Sequence, residues 1–300
     1  QHNDLPSAAR HLQAAIKTTP QSLAALEAFG KLYLGSGKAT EDGMAKASGI
    51  FLKAAMLARD AGDRRKAVDL LRRTLALRPD HYEAAEALAE LLADANHWTE
   101  LDDHYRTMLM YLTGPQRLAV LLRRAQNLDQ RLARREEARI CYEEAGQYQT
   151  AEGEAWVALE RLYREAEDWH ALATLLEWKV EQLAEGVALR SLLDTANVFH
   201  HQLDDHERAA LFYFKVLERE PFDPDAFEGY KDHFRRKHAW SALRDLILYQ
   251  IDQAAEAQAQ RLPSPLDNPP FSAEFVELAE ICERRLGDVD GALDAWHRMS

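Results

Sequence analysis

The sequence predicts an all-α protein built as a tandem array of antiparallel helix pairs. Three observations predict it. Trp98, Trp169 and Trp240 stand 71 residues apart, a step that marks internal repetition. Apolar residues recur at three- and four-residue steps, the period of one helix face. Only 10 prolines and 13 glycines punctuate 300 residues, which leaves room for long helices.

Other columns keep the 71-residue step: Ala54, Ala125 and Ala196; Ala67, Ala138 and Ala209; Leu71, Tyr142 and Tyr213; Leu92, Tyr163 and Phe234; Leu101, Leu172 and Leu243. Each 71-residue unit divides into two 34-residue repeats and a three-residue spacer.

In chain order, residues 4–19, ending at Pro20, read as the second half of an earlier repeat. An irregular stretch follows over 21–47. Between Pro20 and Pro79 three helices are expected, near 21–34, 43–61 and 63–77. Intact pairs need an even number, so the sequence suggests a missing helix near 35–43, at Gly35-Ser36-Gly37. Full repeats then run over 48–81, 82–115, 119–152, 153–186, 190–223 and 224–257. The spacers 116–118 and 187–189 are expected to lengthen a helix by nearly a turn. In 82–94, Ala84, Ala85, Leu88, Leu91 and Leu92 make one apolar face, and Glu83, Glu86, Glu90 and Asp94 another. Gly62-Asp63 and Gly287-Asp288 mark turns between paired helices. Residues 258–272, with Pro263, Pro265, Pro269 and Pro270, add twelve residues to the period and read as a loop. An incomplete repeat fills 273–300, so both ends fall inside repeats.

The 34-residue period resembles that of tetratricopeptide (TPR) repeats. Their small twentieth position is matched by Ala67, Ala138, Ala209 and Ala292, and their large twenty-fourth by Leu71, Tyr105, Tyr142, Leu176, Tyr213, Ile247 and Trp296. Pro79 and Pro221 fit the proline of the thirty-second, where Thr113 and Thr150 depart. Ala55 and Ala89 fit the eighth, where Gln126, Glu160, Asn197 and Lys231 depart. The resemblance covers nearly the whole chain. It implies an α-solenoid of antiparallel helix pairs wound as a right-handed superhelix, with first helices lining a concave groove.

Several function classes are disfavoured. The formal net charge of −13 counts against a nucleic-acid footprint and against an anionic membrane surface. No run of about 18 apolar residues supports a membrane-spanning helix. Cys141 and Cys282 sit in separate repeats at apolar helical positions and read as buried thiols, which fits a reducing, cytoplasmic setting. His200-His201 is the most tempting metal pair, but adjacent helical residues point in different directions. No phosphate loop, nucleophile elbow or calcium loop occurs. No enzyme, cofactor or metal is therefore expected.

The groove columns vary where the frame repeats. Glu86, Glu90 and Asp94 form an acidic band. Arg123, Asn127 and Arg131, then Arg161 and Arg164, form a more basic one. Val198 and His201, then Asp232 and Arg235, continue the columns. A scaffold that binds another protein or a peptide segment would use such a pattern, by matching charge to charge. A structural spacer with no ligand of its own would need only solubility there. An RNA-processing helical repeat is a third reading, against which the acidic balance counts. Self-association through the cut repeat ends is a further expectation.

Overall fold

Sixteen α-helices and no strand occur among the residues that the computed structural model describes, 5–34, 41–183, 186–259 and 272–299. They are α1 (Leu5–Thr18), α2 (Leu23–Leu34), α3 (Glu41–Asp60), α4 (Arg64–Leu77), α5 (Tyr82–Asp94), α6 (Trp98–Leu109), α7 (Gly114–Gln130) and α8 (Arg135–Gly146). There follow α9 (Glu154–Glu165), α10 (Trp169–Leu183), α11 (Leu189–Asn197), α12 (His206–Leu217), α13 (Pro224–Arg236), α14 (Trp240–Ala259), α15 (Ser272–Ile281) and α16 (Val289–Met299). Two helices end in a π-helical turn: α11 runs on through Val198–Gln202, and α15 through Cys282–Leu286. The chain divides into a first unit, residues 1–162, and a second, residues 163–300. The architecture is a TPR-like tandem array of helix pairs.

One device sets the turn inside each pair. Two residues before each second helix the backbone enters the left-handed region: Gly62, Asn96, Ala133, Glu167, Asp204, His238 and Gly287 all have φ between 53° and 81°. An aspartate then caps many of the second helices. Asp63 accepts from Lys66 N at 3.0 Å, Asp168 from Ala171 N at 3.1 Å, Asp205 from Arg208 N at 3.0 Å and Asp288 from Gly291 N at 2.9 Å. A side-chain acceptor here satisfies one of the donors that a helix start leaves over.

The repeated apolar columns form the core. Ala54, Ala125 and Ala196, and Ala67, Ala138 and Ala209, are all buried, as are Leu101, Leu172 and Leu243. A side chain no larger than a methyl lets the paired backbones approach, and the aromatic column beside it fills the remaining space. Tyr142 and Tyr213 are buried, and burial, the main cause, pushes each phenol up to about 12. Glycine serves the same end at helix crossings. A Cβ on Gly146 would lie 2.5 Å from the Trp156 ring, and one on Gly229 would overlap the Tyr213 ring. Cys141 and Cys282 are buried and unbridged, and burial pushes both thiols up, away from reactivity.

A buried charge ties pairs together in the first unit. The Asp102 side chain on α6 is 1% exposed. It accepts from Arg124 Nε on α7 at 2.7 Å and from Arg106 Nη2 at 2.9 Å, with Arg134 Nη1 at 3.5 Å.

The three helices expected between Pro20 and Pro79 are present as α2, α3 and α4, with α2 packed on α3 and α3 on α4. Of the stretch where a helix was expected to be missing, 35–40 lie outside the described residues. The two spacers differ from one another. The first lies inside α7, which is 17 residues long. The second does not lengthen a helix at its start: Val187 precedes α11, Ala188 is its extended N-cap, and Arg219 Nη1 holds the Val187 carbonyl at 2.7 Å. Of the proline-rich insertion, 260–271 lie outside the described residues. Among the described residues, no helix is long and apolar enough to cross a membrane.

Candidate functional site

The groove columns begin with charge. On the first helices of successive pairs, acidic and basic side chains meet one another. In the first unit Arg59 on α3 lies 3.6 Å from Glu90 on α5, Glu86 on α5 accepts from Arg123 on α7 at 2.5 Å, and Asp129 on α7 accepts from Arg161 on α9. In the second unit Arg164 lies 3.9 Å from Asp194 on α11, His200 faces Asp232 on α13 at 3.4 Å, and Arg235 donates to Glu277 on α15 at 2.9 Å. The Glu86 carboxylate, the largest influence on Arg123, raises that guanidinium further above its ordinary value. The sign changes that the sequence offers to a partner are thus largely matched inside the chain. Glu86, Arg123, Arg161 and Arg235, expected along the groove, each pair across helices, and each unit carries a ladder of such pairs. Asp94 faces the exposed Arg64 at 3.9 Å, a contact worth little in water.

Two expected groove residues face inward. Asn127 is buried and donates from Nδ2 to the Trp98 carbonyl at 2.9 Å. Val198 is buried in the π-helical turn. Neither presents its side chain to a partner. Arg131 instead lies over the Trp98 ring, 4.8 Å from its centroid, where a guanidinium is held by the ring face. His201 is exposed.

Three of the expected groove residues come together in the second unit. A hollow of about 480 Å³ is lined by Asn197, His200, His201, Tyr213, Asp225, Glu228, Gly229, Asp232 and Arg235. His201, Asp232 and Arg235 are among the residues expected from sequence; Asp225 and Glu228 belong to the same columns of α13. Gly229 lets the Tyr213 ring pack on α13; Tyr213 Oη donates to Asn197 Oδ1 at 2.8 Å. Three carboxylates and one guanidinium line it. Glu228 pairs with Lys231 and Arg235, Asp232 with Arg236, and Arg235 also with Glu277, which leaves Asp225 as a carboxylate with no ion pair among the described residues. The hollow is acidic at Asp225.

Its rim holds a histidine cluster. The His200 ring stands 4.5 Å from that of His201 and 4.8 Å from that of His206, centroid to centroid. Burial, then the neighbouring His201 and His206, lowers the His200 pKa and favours the neutral ring. His206 Nε2 lies 2.7 Å from Asp204 Oδ1, and its Nδ1 is buried without a hydrogen-bond partner. Asp232 receives Arg236 Nε at 2.6 Å, and its carboxyl is held below the ordinary range by Arg236 against the effect of its burial. His200, His206 and Asp232 each offer one donor atom, all within 4.8 Å of one another.

No family model matches this sequence, and no curated protein does. Solved structures do. MamA is similar over 58% of this chain and 92% of its own, at 14% identity and a TM-score of 0.37. A tetratricopeptide repeat protein from Parabacteroides merdae is similar over 84% of this chain and 91% of its own, at 14% identity and a TM-score of 0.38. The structure of Naa15/Naa10 bound to HypK-THB matches over 97% of this chain and 47% of its own, at 16% identity and a TM-score of 0.44. These values concern general architecture; the repeat reading stands on the 71-residue step and on the helix pairs themselves.

Sequence reasoning weighed His200 only with its neighbour His201 and missed the cluster. His206 opens the next helix and Asp232 lies in the next pair, so no local spacing joins them. The one usable signal was the repeat register, which sets α11 beside α13.

Proposed function

We propose that this chain is a protein-interaction scaffold, not an enzyme, and that it receives a partner segment at the acidic hollow of the second unit. The observation that carries the proposal is the convergence of His201, Asp225, Glu228, Asp232 and Arg235 on one concave surface. These residues come from first helices of two successive pairs, the elements that repeat arrays use for binding. The volume suits one or two side chains. Its carboxylates select a partner with lysine or arginine at that point, because opposite charge steers and orients the encounter. Asp225 is exposed and makes no ion pair among the described residues, so it is the carboxylate most open to a partner.

The test is binding of segments captured by the 300-residue chain, compared with Asp225→Lys. The reading predicts captured segments rich in basic residues, and weaker capture by the variant at unchanged helicity. Equal capture by the variant, or captured segments with no basic character, would refute it.

A second reading draws on the charge ladder. Arg59–Glu90, Glu86–Arg123, Asp129–Arg161 and Arg164–Asp194 fix one helix pair to the next. A spacer element would need such ties and no ligand. The hollow favours the first reading, since Asp225 in it serves no such tie among the described residues.

A further inference from the structure

The π-helical turn after α11 is the place to look for a second function. Such turns are rare and are frequent at functional sites, because the extra residue re-aims side chains. Here the turn brings His200 to His206 at the start of α12 and to Asp232 on α13.

We propose that His200, His206 and Asp232 form a binding site for a late first-row divalent cation of the zinc class. Two imidazoles and one carboxylate are a donor set that suits Zn²⁺, with water in the remaining position. On a tetrahedral ion, ligand atoms bonded at about 2.1 Å stand roughly 3.4 Å apart. His200 Nε2 and Asp232 Oδ2 are already 3.4 Å apart. The widest separation in the trio is 4.8 Å, so the set closes by about 1.4 Å, within the reach of side-chain rotation.

Two further features fit a metal better than a structural cluster. His206 Nδ1 is buried with no hydrogen-bond partner, while Asp204 takes the opposite nitrogen at 2.7 Å. A carboxylate on the far nitrogen of a ligating histidine fixes the ring and raises its basicity. An unpaired buried ring nitrogen is otherwise a cost to the fold. Arg236 Nε holds the same Asp232 Oδ2 at 2.6 Å, and this half-exposed guanidinium has to swing away as the ion arrives. Bound there, the ion would tie the π-helical turn and α12 to α13.

The site shares His200 and Asp232 with the hollow of the partner reading but does not rest on that reading, and its test contains no partner. The metal-free 300-residue chain is titrated with Zn²⁺ by calorimetry, and with Co²⁺ for its visible ligand-field absorption. One equivalent is expected, with affinity at least tenfold weaker in both His200→Gln and Asp232→Asn, and with Co²⁺ absorption lost in each. Mg²⁺ should show no binding, since a histidine set disfavours it. Circular dichroism and melting confirm that both variants fold; were Asp232→Asn to unfold, His200→Gln and His206→Gln would carry the comparison. The proposal is overturned if the wild-type chain takes up no stoichiometric Zn²⁺. It is equally overturned if folded variants bind as the wild type does and a change at the exposed His97 or His170 removes the binding.

Discussion

Replacing Asp102 with Asn should destabilise the first unit more than any surface charge change. The carboxylate is 1% exposed and its closest partner, Arg124, is 15% exposed. Asn keeps the shape and one acceptor but removes the charge, which leaves the Arg124 guanidinium out of water without a counter-ion. Breaking a buried pair from one side costs about 3–5 kcal/mol. The other partners are different: Arg106 and Arg134 are about half exposed, at 53% and 44%. Removing either should cost no more than about 1 kcal/mol, since solvent screens such pairs. Urea unfolding followed by circular dichroism reads the difference, as Asp102→Asn against Arg134→Ala. Replacing Asp102 and Arg124 together by Leu and Met should recover much of the loss, because no charge is then left unpaired. An Asp102→Asn midpoint equal to that of Arg134→Ala would show that the carboxylate is not the tie between α6 and α7.

Three further outcomes follow from the fold. Ala138→Phe forces a ring into a fully buried helix contact and should cost roughly 1–3 kcal/mol; an unchanged unfolding midpoint would contradict that register. Ala133 holds φ at 53°, a conformation that costs a non-glycine residue about 1–2 kcal/mol, so Ala133→Gly should raise the midpoint while Gly62→Ala lowers it. Burial, partly offset by the bond from Nε2 to the Ala85 carbonyl at 2.8 Å, lowers the His104 pKa from its ordinary value. Folding then favours the neutral ring, so its stabilisation is full above about pH 6.5 and is lost as pH falls toward the lowered value. The stability of the wild type should therefore drop more steeply below that pH than that of His104→Gln; parallel curves would remove His104 from the account.

The frame was legible in the sequence because it repeats. A helix crossing demands the same small residue in every pair, so Ala67, Ala138 and Ala209 announce themselves at a fixed step. The turns were only half legible. Gly62 and Gly287 show the left-handed position, but Asn96, Ala133, Glu167, Asp204 and His238 occupy it with ordinary side chains, and composition alone does not reveal them. The site was less legible still. The sign changes along the groove columns are real, but a single sequence does not tell a charge kept for a partner from one kept for the next helix. Arg161 answers Asp129, whose side chain is 5% exposed, across a gap of about one repeat. Asn127 and Val198 differ for another reason: the columns were placed by analogy, and both side chains are buried in the structure. His206 and Asp232 were passed over because the cluster exists only once two pairs are stacked.

The central claim is that the acidic hollow recognises a basic partner group, and a charge-swap cycle tests it most directly. A captured segment is bound to the wild-type chain and to Asp225→Lys, first as it stands and then with its basic residue changed to Glu, with fluorescence anisotropy reporting each affinity. The account predicts that either single change weakens binding and that the two together restore much of it, with the wild-type affinity falling as salt rises. Independent, purely additive losses, or an affinity insensitive to both changes, would contradict the assignment of the hollow as the binding surface.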